Sequence, residues 1–227
     1  MKKLNVLLSG QKRFGRSVLQ LLGELGHNVA AVCAPTTGQG TAEEDRLHFA
    51  AAQARLPIIQ AGTLTHEVMP EGVDLIVTAH SHDFVGRKTR MRAALGAIGY
   101  HPSLLPVHRG RDAVRWAVRL GERITGGTVY WLNDTVDGGP VAAQEHAFIR
   151  PGDDARELWT RELAPLGLRL FRKVLEDISK GKIVRIPQEH TLATWEPAIS
   201  GQPRLFRPDL DLLPPPGSGL TYIVTRG

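Results

Sequence analysis

Gly99-Tyr-His-Pro-Ser-Leu-Leu-Pro106 constrains the fold of this chain more than any other stretch. It follows Ala94-Leu-Gly-Ala-Ile-Gly99, a short apolar run that reads as a buried strand ending in glycine. Pro102 and Pro106 cannot sit inside a helix or a central strand, because each lacks a backbone N–H and has a fixed φ. The chain is therefore expected to leave a sheet at Gly99 and to turn rigidly, carrying His101 with it.

The opening of the chain says what kind of sheet this is. Residues 4–9 are apolar and run into Gly10; positions 14, 18, 21, 22 and 25 then recur at helical spacing, and Val29-Ala-Ala-Val-Cys33 is a second apolar strand. This β-α-β order predicts an α/β fold, a Rossmann-like, doubly wound and mostly parallel sheet with right-handed crossovers. A glycine turn at a helix start can cradle an anion. The dinucleotide fingerprint G-x-G-x-x-G is replaced here by Gly10-Gln-Lys-Arg-Phe-Gly15, which makes a nicotinamide enzyme a weak alternative. Further on, Thr41-Ala-Glu-Glu reads as the cap of a helix through Ala54, Leu56 to Gln60 as a short strand, and Thr65 as the start of a short polar helix. Val73 to Thr78 reads as a buried strand, with a histidine-bearing loop, Ala79-His-Ser-His-Asp-Phe84, at its carboxyl end. Helices are expected over 87–94 and 112–120, and strands over 126–132 and 140–148. A long helix follows Asp153 or Asp154, broken or kinked at Pro165, and a short strand spans 181–186. Prolines at 187, 197, 203, 208 and 214–216 then mark a change of character. The division expected is a catalytic domain over 1–186 and a proline-rich, irregular extension, 187–227, packed on it.

Charge and cysteine content narrow the partners. The net charge is +5 over 227 residues, yet no basic run of five or more appears and no aromatics interleave with a basic patch. Nucleic acid is a poor expectation; an anionic small molecule explains the excess as well. No apolar run approaches the roughly 20 residues that span a membrane, so no membrane partner is expected. The single cysteine, Cys33, permits no internal disulfide, reads as core filler and fits a reducing cytoplasm. Oligomeric state is not set by the sequence, a homodimer being one option.

The residues able to do chemistry are few. Taken alone, His101 reads as a hydrogen-bonded core histidine, and Asp137, in Thr-Val-Asp-Gly-Gly-Pro140, as a turn aspartate bonding its own backbone. Together with the Leu-Leu-Pro turn, Arg109-Gly110 and Gln144 they change meaning: HPSLLP, then RG, then D-x-G-x-V and a glutamine resembles the folate-dependent formyltransferases, over about residues 4–185. The resemblance implies 10-formyltetrahydrofolate as co-substrate, attack of an acceptor amine on the formyl carbon, and a tetrahedral intermediate. It assigns His101 a hydrogen bond to the developing oxyanion and Asp137 the orientation of that imidazole. It also implies a cis peptide at Leu105–Pro106. Thr78, His80, His82, Phe84, Leu132 and Val136 are expected at the reduced folate, in a cleft between the 78–84 and 132–137 loops; Arg13, Arg109 and Arg111 are expected at the acceptor. No metal site is expected.

Two departures qualify the resemblance. Gly99 stands where the family usually has asparagine, so Gly99→Asn is expected to raise activity if the missing amide limits it. Gly-aromatic-His with RGR and a following tryptophan is similar to a subgroup acting on sugars and other small amines. The acidic Thr41-Ala-Glu-Glu-Asp45 replaces the basic loop of the methionyl-tRNA enzymes, which disfavours a tRNA acceptor. Three readings remain: N-formyl transfer to a small amine, hydrolysis of the same folate, and a catalytically impaired folate-binding scaffold.

Overall fold

A computed structural model describes residues 2–38, 43–81 and 83–199. Among these, seven strands form one sheet in the order β3-β2-β1-β4-β5-β6-β7. They are β1 (Asn5–Gly10), β2 (Asn28–Ala34), β3 (Ile58–Gln60), β4 (Leu75–Ala79), β5 (Ala97–His101), β6 (Ile124–Trp131) and β7 (Val141–Phe148). The first five are mutually parallel; β6 runs antiparallel to β5, and β7 antiparallel to β6. Helices α1 (Lys12–Glu24), α2 (Arg46–Gln53), α3 (Arg87–Arg92), α4 (Ala113–Arg119), α5 (Ala155–Leu158) and α6 (Ala164–Ser179) connect or cover them. This is the expected α/β architecture.

Both faces of the parallel strands are buried, as the near-continuous apolar runs require. Val6 and Leu8 belong to a large apolar cluster with Val18 and Leu22 of α1, Leu47 of α2 and Phe171 of α6. Leu7, between them, joins Ile76, Met69 and Val85 in a smaller cluster on the other side. That alternation is the two-residue period of a strand.

Several local expectations need correction. β5 continues two residues past Gly99, and His101, its last residue, pairs with Thr128. The first proline comes only at 102, so the ladder bond at His101 is still available. No helix forms after Thr65; one turn closes from Met69 N to Thr65 O (3.1 Å) before Pro70 stops it. Residues 181–186 are not a strand. Gly181 turns the chain at φ +80, and only Ile186 bridges Val141 before Pro187 removes the next donor. Around Pro165 the long helix passes through a π-helical turn, Trp159–Leu163, which absorbs the lost N–H.

Helix α2 starts later than expected, capped by Asp45; Thr41 lies outside the described residues. The 2%-exposed Asp45 is more than a cap. Its Oδ1 accepts from Leu47 N (2.8 Å) and His48 N (3.3 Å), and its Oδ2 from Lys12 N (2.7 Å), the first residue of α1. One carboxylate thus serves two helix N-termini. Asp45→Ala is expected to lower stability by about 1–3 kcal/mol, read by urea denaturation, since it removes an N-cap and orphans a donor of α1.

Candidate functional site

The proline turn leaves β5 with Leu105–Pro106 cis, as expected. It is fixed from the neighbouring strands: Thr128 Oγ1 donates to Ser103 O (2.7 Å), and Gln144 Nε2 donates to Leu105 O (2.9 Å). The chain then reaches His108, whose backbone is left-handed at φ +57. There it meets both expected catalytic residues. His101 Nε2 donates to His108 O (2.6 Å), and Gly110 N donates to Asp137 Oδ2 (2.7 Å). Across this turn, His101 Nδ1 lies 3.5 Å from Asp137 Oδ2. His101 is 7% exposed.

Asp137 arrives by an unexpected route. Because β6 runs antiparallel to β5, its last residue, Trp131, pairs with Ile98 rather than with His101. The 132–139 loop therefore begins near Ala97, at the far end of β5, and folds back over the sheet to bring Asp137 to His101. Asp137 holds φ +50, and its Oδ1 accepts from Tyr130 OH (2.6 Å). Burial, and then the Asp137 carboxylate beside it, push the Tyr130 phenol well up, so it stays a donor.

The two loops expected to hold folate meet over Gly99. A Cβ at Gly99 would lie 2.5 Å from Thr78 Oγ1 and 3.1 Å from Leu132 Cδ1. Glycine is present for space, not for a left-handed backbone, and the expectation that asparagine would improve this position is corrected on that ground. Phe84 and Val136 are apolar and exposed, at 77% and 55%. His80 is half-buried with its ring edge-on to Trp159; His82 lies outside the described residues. The sequence reading missed Arg90, a buried cation that donates through Nη1 to Val85 O (2.6 Å) and pairs with Asp134. It ties one loop to the other, yet in the sequence it is one basic residue among several in a short polar helix.

Of the acceptor arginines, Arg13 and Arg111 are exposed. Arg109 is turned inward, 3% exposed, and donates to Gln188 Oε1 through Nε (3.2 Å) and Nη2 (2.6 Å). Burial pushes its guanidinium down from its usual value, opposed by Asp137. His108 is also buried, between two carboxylates that the sequence did not connect with it. Its Nε2 meets Glu122 Oε1 at 2.9 Å; Glu196 Oε2 lies 2.9 Å from Nδ1 but out of line for a hydrogen bond, so that attraction is Coulombic. Burial opposes the charged imidazole, but the hydrogen bond to Glu122 and the charges of both glutamates push it up to about 9.

A cavity of about 230 Å³ opens beside Gly10, Gln11, Pro35, Thr37, Ala61, Ser81 and Asp83, at the carboxyl ends of β1, β2 and β4. Asp83 is the one formal charge among these residues. Cys33, behind it, is buried, and burial followed by Asp83 pushes its thiol strongly up, which fits core filler. Among the described residues no group of three or more His, Cys, Asp or Glu could hold a metal, and no helix is long and apolar enough to cross a membrane.

In this open α/β sheet a histidine and an aspartate come together at the carboxyl end of β5, while the turn after β1 lacks the dinucleotide fingerprint. Residues 2–174 match the formyl transferase family, and the chain belongs to it. It is 32% identical over 204 residues to the human mitochondrial 10-formyltetrahydrofolate dehydrogenase, covering 86% of this chain and 22% of that protein. It is 32% identical over 205 residues to the methionyl-tRNA formyltransferase of Lactobacillus delbrueckii subsp. bulgaricus, covering 86% and 65%. The fold matches the N-formyltransferase of Helicobacter canadensis, solved with folinic acid and dTDP-3-aminofucose, at a TM-score of 0.70 and 17% identity, over 85% of this chain and 70% of that one. The chain thus spans about a fifth of the first relative and just under two-thirds of the second.

Two outcomes follow from this geometry. Gly99→Ala should cost about 1–3 kcal/mol through overpacking, and Thr78→Ala in the same molecule should recover part of it, as a double-mutant cycle would show. His108 titrates near 6.5 when unfolded and about 9 when folded. Its stabilisation is therefore complete below about pH 6.5 and lost as pH rises through 9. Unfolding free energy should fall over that window by at most about 3 kcal/mol, with the slope flattened in His108→Gln.

Proposed function

We propose that the protein transfers the formyl group of 10-formyltetrahydrofolate to the amine of a small acceptor, in the cytoplasm, with His101 and Asp137 as catalytic residues. The observation that carries the reading is their shared attachment to one turn, His101 through His108 O and Asp137 through Gly110 N. The site suits a reduced folate. Exposed Phe84 and Val136 offer apolar surface to a planar ring on the two loops that Arg90 joins, and Thr78 and Leu132 meet where those loops begin. These residues and His80 would hold the folate, which supplies the electrophilic formyl carbon; His82 is kept with them for its place in the 78–84 loop of the sequence.

The chain's own groups then divide the work. His101 Nε2 is fixed by a backbone carbonyl, so it is Nδ1, carrying the second proton of the imidazolium form, that meets the oxygen on which negative charge develops; its 3.5 Å contact with Asp137 is too long for a strong hydrogen bond. Asp137, held by Tyr130 OH and Gly110 N, orients that imidazole, receives the proton released by the attacking amine and returns it to the folate nitrogen, whose bond to the formyl carbon breaks as tetrahydrofolate leaves. The acceptor is a small amine without a phosphate at the start of α1. Asp45 already occupies the donor there, and the neighbouring cavity carries only Asp83. Arg13 and Arg111 are the exposed cations left for it, while Arg109 acts from within the turn. Transfer to water, a hydrolase reading, is the second possibility, favoured by the 10-formyltetrahydrofolate dehydrogenase relative.

Incubation with 10-formyltetrahydrofolate, alone and with a panel of amino sugars and amino acids, separates the two. Amine-dependent tetrahydrofolate release with a formylated product is expected; equal release without amine would establish hydrolysis. His101→Ala should lower turnover by about 10²–10³ while folate affinity changes only a few-fold, because the lost interaction strengthens in the transition state. Unchanged turnover in that variant would remove His101 from the mechanism.

A further inference from the structure

Beyond the last long helix, at residue 188, lies a side chain whose hydrogen bonds all end on the catalytic turn and the loop facing it. Gln188 is 7% exposed. Its Nε2 donates to Asp137 O (2.8 Å) and Gly139 O (2.7 Å), and its Oε1 accepts from Nε (3.2 Å) and Nη2 (2.6 Å) of Arg109. Both N–H groups and both lone pairs of the carboxamide are thereby used. We propose that Gln188 is a positioning residue for the formyl-transfer site, holding Asp137 against His101 by bridging the 137–139 loop to Arg109. The inference rests on the catalytic reading of His101 and Asp137 given above.

The local backbone explains why such a bridge is needed. Asp137 is an L-residue in the left-handed region, a conformation that neighbouring bonds must hold. Tyr130 and Gly110 fix its carboxylate, but neither touches the backbone of the loop through these bonds. Gln188 does, at the carbonyl of Asp137 itself and again two residues on. The other end of the bridge is equally specific. The Arg109 fork needs an acceptor, its Nη2 lies 3.0 Å from His190 Nδ1 as well, and Arg109 N donates to Thr194 O (2.9 Å). Arg109 sits between His108, whose carbonyl holds His101, and Gly110, whose N–H holds Asp137. A displacement at 188 therefore reaches both catalytic groups, and a shift of about 1 Å is enough to cost on the order of 10²-fold in rate.

An amide is the side chain this geometry selects. Glutamate in its place could accept from Arg109 but has no donor for the two loop carbonyls. Alanine would leave those carbonyls and the guanidinium without these partners in a buried place. Gln188→Glu is thus the informative variant, since it keeps the pairing with Arg109 and turns the two bonds to the Asp137 loop into repulsive contacts.

The test compares wild type, Gln188→Glu and Gln188→Ala with 10-formyltetrahydrofolate and the acceptor identified by the panel, or with water if hydrolysis is found. Both variants should lose at least about 10-fold in kcat while KM for the folate stays within about 3-fold, with Gln188→Glu unfolding within a few degrees of wild type. Calorimetric titration with folinic acid should still give one folate per chain. Wild-type kcat in both variants would overturn the proposal, and so would a loss of kcat matched by an equal loss of folate-binding sites, which marks a merely structural role. His101→Ala, assayed alongside, isolates the underlying reading. If that variant keeps full turnover the catalytic assignment fails, and the positioning claim is then decided by the ring resonances of His101 in nuclear magnetic resonance. Displacement of those signals in Gln188→Glu supports the bridge; identical signals reject it.

Discussion

The hydrogen bond from His101 Nε2 to the carbonyl of His108 is the contact on which the site's geometry depends. It closes the proline turn on itself and leaves the other ring nitrogen facing Asp137. A carbonyl can only accept, so the proton on Nε2 is set by the backbone rather than by solvent. The turn that offers this carbonyl is unfavourable by itself. His108 and Asp112 both adopt left-handed backbone, as Asp137 does opposite them. Each such residue costs on the order of 1 kcal/mol or more, and persists only when its surroundings over-determine it.

Those surroundings come largely from the segment 188–196. His108 N donates to Thr194 Oγ1 (2.7 Å), Thr194 N to Pro106 O (3.2 Å), and Trp195 lies against Gly110. Glu196 supplies a buried carboxylate beside the His108 ring, with Glu122 on the other side. A buried histidine between two carboxylates is costly unless charged, and charged it anchors the turn electrostatically. The mechanical floor of the site therefore lies more than fifty residues beyond Asp137 in the chain.

That distance explains what the sequence showed and what it did not. The β-α-β opening, the glycine-ended strand and the proline turn are local signals, and the mostly parallel α/β sheet they imply formed. His101 and Asp137 were legible because their motifs are local too. Gln188, Thr194 and Glu196 lie in a stretch with no apolar period, where prolines signal only irregularity, and their value comes from contacts about 50 to 90 residues away. Arg109, expected at the acceptor, shows the same dependence: contacts to Gln188 and His190 of the later chain turn it inward. Gly99 shows the opposite error: its missing side chain looks like a lost donor, whereas the structure needs the vacancy so that Thr78 and Leu132 can meet.

The electrostatics at the other side of the sheet follow a similar logic. In doubly wound folds the first helix N-terminus is a natural anion site, because unpaired N–H groups and the helix dipole point the same way. Here the chain provides its own anion. Asp45 takes the Lys12 N–H and two donors of α2, so the favourable potential of two helix ends is met by one buried carboxylate. A phosphate approaching that point would have to displace a group held by three hydrogen bonds, and would meet like charge if it failed to do so. Asp83 extends the same sign into the adjoining cavity, where Gly62 N donates to it at 2.6 Å. Exposed cations lie elsewhere, Arg13 and Arg111 among them. The acidic loop that looked like a repulsive surface feature is, at Asp45, part of the framework, and it excludes a phosphate by occupancy as much as by repulsion.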